Sequence, residues 1–290
     1  MTAGPLMLLR GGLGSLLLAG SVVAPPAKPP SVKALLRLAR RQTAQKNVAG
    51  ALESLRRARA MAPNSEEVLS AYAEASLAAH ATLPAIEVLD ALTRLCPTVA
   101  QYHYRQGVVL LGEGDTAAAV DSLKRAEALE PDQTPTLIAL GTALNGRELY
   151  AEAKPLLVRA LSLAPEDVAA VAALAEAEEG LGELAEAEAH AQRALASVSG
   201  HPIANLALGQ VRMKQGRYEE ARDALLKATA AEPAALKAHY ELSRAYAGLN
   251  DQASAQKHLD LYRQKTKERD ERVKQVRSLT GYPTGGMPQP

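Results

Sequence analysis

The sequence predicts an all-α solenoid, a row of stacked helical hairpins that share no single globular core. Three regularities carry that prediction. Proline stands at Pro63, Pro97, Pro131 and Pro165 at a constant step of 34 residues, then at Pro233 two steps on, with Ser199 at the skipped place. A small residue recurs at the same step: Ala39, Ala73, Gly107, Gly141, Ala175, Gly209 and Ser243. An alanine ladder runs beside it through Ala51, Ala85, Ala119, Ala153, Ala187, Ala221 and Ala255. A fixed period of this size marks a repeat architecture. Stacked repeats build extended surfaces that bind partners and usually do no chemistry.

In chain order, the first element is a leader over residues 1–24. Arg10 precedes a short apolar stretch at 13–24, with the small residues Ala19 and Ser21 toward its end. The stretch falls short of the roughly 20 residues that a membrane-spanning helix needs. Its layout is that of a secretory signal peptide, which predicts export to a periplasm or the exterior. Pro25 beside the expected cut departs from that pattern, as does Ser21 where a lipoprotein signal requires Cys. A cytoplasmic leader and an uncleaved tether are the alternatives. Residues 25–31 are proline-rich and read as an extended spacer.

Residues 32–265 then divide into seven units. The segment 100–133 shows one of them. Apolar residues at helical spacing run through Tyr104, Val108 and Leu111. Gly112, Glu113, Gly114 and Asp115 break the run, and a second helical pattern follows from Ala117 to Leu129, stopped at Pro131. Small residues at Gly107, Ala119 and Ala126 let the two helices approach closely, so that larger neighbours interdigitate. This unit resembles the tetratricopeptide repeat, whose small first-helix residue, paired second-helix alanines and closing proline it reproduces. The resemblance implies a right-handed superhelix.

Two further positions keep step across the units. One reads Ala58, Leu92, Ala126, Ala160, Ala194, Ala228 and Tyr262; the other reads Leu55, Leu89, Leu123, Leu157, Ala191, Leu225 and Leu259. Pro84, Pro135, Pro155 and Pro202 fall near expected helix starts, where a missing N–H costs little. Gly114, Gly146, Gly180, Gly182, Gly216 and Gly248 fall near the turns between paired helices, where they can supply unusual backbone angles.

The fifth unit, residues 168–201, departs most from the pattern. Ala191 replaces the usual Leu, Ser199 replaces Pro, and Glu178 stands where Leu110, Leu144 and Tyr246 stand elsewhere. The sixth adds Asn205 and Arg212 at normally apolar places. Fewer buried methylenes predict a junction that opens before its neighbours. Glu178 and Arg212 lie one period apart and are expected to pair.

After the array, residues 266–280 continue the last helix with many charges, expected to cap the final unit's apolar face. Residues 281–290 read as a disordered tail. Cys96, the only cysteine, permits no intrachain disulfide and reads as a structural thiol beside Pro97.

The chain has no Phe and no Trp, so its core must be built from Leu, Ala and Val. Its formal net charge is only +1, unevenly spread. Residues 31–63 carry eight basic side chains against one acidic; residues 64–199 carry 21 acids against eight bases; residues 200–290 carry 15 bases against ten acids. Such a basic–acidic–basic rod can steer a charged partner or bias head-to-middle self-association. Nucleic-acid binding is not expected, because a reading motif and interleaved aromatics are absent and the middle is acidic. Motifs of nucleotide-binding, metalloprotease and serine-hydrolase sites are absent too, so no catalysis, cofactor or small-molecule substrate is expected. The six histidines do not converge in sequence. His103 and His239 share one repeat position and His190 and His258 another, so scattered helical histidines are expected rather than a metal site.

The resemblance implies that the first helix of each unit lines a concave groove. By position the groove would present Leu36, Arg37 and Arg40, then Ser70 and Glu74, then Tyr104, Val108 and Leu111. Ile138, Thr142 and Asn145 follow, then Ala172 and Glu176, then Leu206, Gln210 and Met213, and finally Tyr240 and Arg244. Relatives that bind chaperone carboxyl termini use a Lys/Asn, Asn, Lys/Arg set. The corresponding places here hold Leu36, Arg40, Ala71, Gln101 and Arg105, of which only Arg105 fits. A largely apolar groove suits an amphipathic helix or an extended apolar peptide. The implied function is a non-catalytic adaptor or assembly factor; the alternative is a structural, self-associating array.

Overall fold

A computed structural model describes residues 30–230 and 235–281. The leader, most of the spacer, Pro233 and the tail beyond Gly281 lie outside the described residues. The fold is an α-solenoid of fourteen helices in seven antiparallel pairs, with no strand among the described residues. The pairs are α1 (Val32–Ala44) with α2 (Val48–Met61), α3 (Glu66–Ala78) with α4 (Thr82–Leu95), and α5 (Ala100–Gly112) with α6 (Thr116–Leu129). Next come α7 (Thr134–Asn145) with α8 (Tyr150–Leu163), and α9 (Val168–Leu181) with α10 (Leu184–Ser197). The last are α11 (Pro202–Lys214) with α12 (Tyr218–Thr229), and α13 (Ala235–Gly248) with α14 (Gln252–Thr280).

Every pair turns through one left-handed residue, and those residues keep the 34-residue step. They are Lys46, His80, Gly114, Glu148, Gly182, Gly216 and Asn250, with φ between 52° and 84°. Glycine meets this demand cheaply at three of them; Lys46, His80 and Glu148 adopt it against the ordinary preference of an L-residue. The other glycines expected to supply such angles do something else. Gly146 has φ −61°, and Gly180 and Gly248 lie within α9 and α13. A Cβ on Gly248 would stand 2.7 Å from the Tyr218 ring, and one on Gly180 would overlap the Tyr150 ring, so these two glycines permit close approach. Pro135 and Pro202 occupy first-turn positions, whereas Pro155 lies inside α8 rather than at its start.

Side-chain caps secure several starts. Ser31, Ser65, Asp167 and His201 accept an N–H at the first helix of their pair, and Asn47, Asp115 and Asp251 at the second. Each such cap satisfies a donor the helix leaves unpaired and is worth about 1 kcal/mol.

The small-residue ladder does what its chemistry suggests. A Cβ on Gly107 would sit 2.5 Å from Leu123 Cγ, and the same holds for Gly209 and Leu225. In each case the second-helix leucine fills the space that the glycine leaves. The junction of the fifth and sixth units is packed differently. Ala175, Ala191 and Ala207 form a small fully buried cluster in which alanines replace the leucine, and α9 touches both α7 and α11. Its residues 170–179 are all buried, glutamates included.

Those glutamates do not pair as the repeat register suggests. Glu178 bonds to His190 Nδ1 at 2.7 Å on α10, and Arg212 bonds to Glu188 at 2.6 Å and to Glu220 at 3.5 Å. The expected Glu178–Arg212 pair is therefore absent. Each residue finds a hydrogen-bonding partner within its own unit or on the second helix next door, nearer than the equivalent face of the next first helix.

The charged C-terminal segment also behaves differently from a cap on the last unit. Residues 266–280 continue α14, which is 29 residues long, and its far end packs on α4 and the α5–α6 turn. Val273 and Val276 are fully buried there, and Val276 belongs to the central core cluster with Ile86, Ala118 and Leu144.

Candidate functional site

The inner face is defined by which helices meet. First helices touch one another at α1–α3, α5–α7, α7–α9, α9–α11 and α11–α13, while among the described residues no second helix touches the second helix of the next unit, and α14 meets α4 only across the array. An array whose first helices crowd together and whose second helices spread apart is curved, with the first helices inside.

The sequence-derived groove residues divide into three groups on that face. Leu36, Asn145, Ala172, Glu176, Leu206 and Gln210 are buried. Leu36 belongs to the core of the first two units, and Asn145 Nδ2 donates to the Ala173 carbonyl at 2.8 Å, tying α7 to α9. Ser70, Tyr104, Leu111, Ile138, Thr142 and Met213 are half-buried. Arg37, Arg40, Glu74, Val108, Tyr240 and Arg244 are exposed. Arg40 meets Glu67 at 3.4 Å and Glu74 meets Arg105 at 3.7 Å, both in solvent. The apolar part of the face is thus Tyr104, Val108 and Leu111 on α5 with Ile138 on α7, and Val108 is 40% exposed.

Toward the C-terminus the face becomes charged, which the sequence reading missed. An open cavity of about 290 Å³ there is lined by Tyr150, Glu179, Gln210, Lys214, Lys237 and Arg244, among others. Lys237, from the start of α13, donates to Glu176 at 3.2 Å and to the Tyr150 hydroxyl at 3.2 Å, linking the seventh unit to the fifth and fourth. Burial works against its charge, yet the Glu176 carboxylate and Tyr150 hydroxyl raise its pKa above the ordinary lysine range. Lys214 holds Glu179 at 2.7 Å, and Arg244 holds Glu241 at 2.9 Å. Gln210 Oε1 is buried on the cavity wall with no hydrogen-bond partner among the described residues. The sequence carried one trace of this: Tyr150 and Gly180 stand 30 residues apart, as do Tyr218 and Gly248.

Two other sequence readings are refined here. His239 and His258 do come together, Nδ1 to Nδ1 at 3.0 Å with their rings stacked, rather than lying scattered. Cys96 is half-buried at the end of α4; burial and the Glu66 carboxylate push its thiol up, which opposes reactivity.

Three tetratricopeptide repeat family models match, over residues 100–133, 138–202 and 180–238. Comparison of the sequence with curated proteins gives no match. Among solved structures, the fold is similar to a tetratricopeptide repeat protein from Parabacteroides merdae, with TM-score 0.64, 14% identity, and 86% of this chain and 98% of that one covered. It is similar also to MamA, with TM-score 0.53 and 21% identity over 65% of this chain and 95% of that one. PilW, a type IV pilus biogenesis factor, gives TM-score 0.53 and 18% identity over 70% of this chain and 96% of that one. At such identities the likeness is one of fold.

Proposed function

Since the chain is a tetratricopeptide repeat protein, we propose that it is a non-catalytic scaffold that holds a polypeptide segment against its inner face. The observation that carries this reading is the partly exposed apolar run of Tyr104, Val108, Leu111 and Ile138 on adjacent first helices. Apolar side chains left in water on a concave surface gain by covering, at roughly 25 cal/mol per Å². An amphipathic helix or an extended apolar stretch would cover them. The charged cavity beyond, with Lys214, Lys237 and Arg244, would favour an occupant that turns polar at one end.

The leader at residues 1–24 supports an exported assembly role, and PilW offers a fold-level parallel for such a role. N-terminal sequencing of native protein tests this: a start near residue 22 or 25 is expected, and retention of Met1 would exclude export by cleavage.

The scaffold itself is tested by a photo-crosslinking residue placed at Val108 in native cells. One defined polypeptide should be captured, and capture should vanish in Tyr104→Glu/Leu111→Glu with helical content unchanged. Crosslinks to copies of the same chain alone would support the structural array instead. Unfolding of the double variant would mean that Tyr104 and Leu111 are core.

A further inference from the structure

The far end of α14 makes a contact that a terminal repeat helix does not need. Arg277 Nε donates to Asp115 Oδ2 at 2.7 Å and Arg277 Nη2 donates to Asp115 Oδ1 at 2.8 Å, across 162 residues of sequence. The Arg277 side chain is 10% exposed and that of Asp115 only 1%. Asp115 is also the cap of α6, accepting the Ala118 N–H at 3.2 Å, so α14 grips the start of a repeat helix. Around this fork, Arg272 faces Glu113 at 3.7 Å and the Arg269 stem lies against Gly114. Val273 and Val276 are buried on the same side.

Between this dock and the part of α14 that pairs with α13 lies a stretch with a different chemistry. Residues 263–272, RQKTKERDER, contain no apolar side chain. The helix therefore has two separate apolar attachments, one in its own unit at Ala255 and Leu259, and one at Val273 and Val276. The elements from α5 through α13, with α14 returning to α4 and the α5–α6 turn, form a closed circuit. First helices face the inside of that circuit, and α14 closes it through α4 and the α5–α6 turn.

We infer that residues 273–280 of α14 are a releasable clasp that closes the array and restricts access to the inner face. The basic end of the chain meets the acidic middle within one molecule, which uses internally the charge asymmetry that could otherwise drive head-to-middle self-association. Release needs only the distal attachment to part, because the polar stretch adds no apolar side chain to hold it and packs mainly through the Arg269 stem. The clasp regulates the face on which the scaffold reading rests, and its test needs no ligand.

The test uses chemical probes of two sizes on the full chain. In a Cys96→Ser background, Val108→Cys provides a single thiol on the inner face. A small maleimide and a maleimide carrying a polymer of about 5 kDa are compared by reaction rate, before and after Arg277→Glu, which sets an acid beside Asp115 and Glu113. The polymer reagent should react at least about tenfold faster in the variant, with the small reagent unchanged. Amide exchange of residues 273–280 should quicken about tenfold while that of α9 holds. Val276→Asp should reproduce both effects, and Arg277→Lys should largely retain closure. Equal polymer rates in parent and variant, or unprotected amides at 273–280 in the parent, would overturn the clasp. Neither result bears on capture at Val108, so failure of the clasp and failure of the scaffold reading are distinguishable.

Discussion

Glu178 Oε2 lies 2.7 Å from His190 Nδ1, joining the two helices of the fifth unit through a carboxyl group that is buried. Burial pushes this carboxyl above its ordinary value, and the attraction of His190 and Lys154 only partly offsets that. A raised folded-state value means that the group favours the fold below the ordinary carboxylate range. That contribution is lost as pH rises through the folded value, so at neutral pH the charge opposes folding. The same place holds leucine in the third and fourth units. Glu178→Leu should therefore leave stability at pH 7 unchanged or raise it by about 1 kcal/mol, a gain of roughly 2–4 °C in Tm. Thermal melts from pH 4 to 8 check this, and a lower Tm at pH 7 would show the His190 contact to be a net gain.

The glycine ladder makes an opposed pair of predictions. Gly107 is buried under Leu123, where an added Cβ would stand 2.5 Å from Cγ, so Gly107→Ala should cost about 1–3 kcal/mol. Gly112, at the end of the same helix, would place its Cβ in open space. There Gly112→Ala should stabilise by about 0.5–1 kcal/mol through helix propensity alone. Denaturant unfolding of both variants decides it; equal effects would refute the close-approach account.

Ala191 offers a case where restoring the repeat pattern should harm the protein. In six of the seven units this place holds leucine over a small residue, and Ala191 invites the same change. Here, however, Ala191 is fully buried among Ala175 and Ala207, and the helices have already closed the gap. Ala191→Leu should destabilise by about 1–3 kcal/mol, read from chemical denaturation. A stabilised variant would mean that the junction is underfilled, as the sequence suggests.

The repeat register was legible because each unit solves the same packing problem, so glycine, alanine, leucine and proline recur at fixed places. The left-handed turn was legible only where glycine marks it. Lys46, His80 and Glu148 adopt the same angle with no local signal, because the surrounding helix pair imposes it. Partners of buried charges were not legible from equivalence by translation. Glu178 and Arg212 lie one step apart, but their long side chains reach the second helices that cross beside them. The contacts of Lys237 with Tyr150 and of Arg277 with Asp115 depend on accumulated superhelical curvature, which no single unit encodes.

The last prediction concerns acid. His239 and His258 face each other Nδ1 to Nδ1 at 3.0 Å between α13 and α14, so one nitrogen donates and the other must be an unprotonated acceptor. Tyr246 stacks on His258 at 5.4 Å, so the ring is held on a second side. Burial, then the neighbouring Lys257, lowers the pKa of His258; burial alone lowers that of His201. His201 also needs its neutral form, because its Nδ1 accepts the Ala204 N–H at 3.4 Å as the cap of α11. A depressed folded value means that the unfolded chain binds these protons more readily. Stability is then full above the ordinary histidine value of about 6.5 and falls as pH drops below it toward the folded values. The last two units should loosen first, with amide exchange in α11, α13 and the start of α14 quickening between pH 6.5 and 5 while α5 to α7 hold. His258→Gln should flatten that dependence in the seventh unit and leave the one due to His201. Loss of protection that began instead in the first two units, or that was unchanged by His258→Gln, would rule out this assignment.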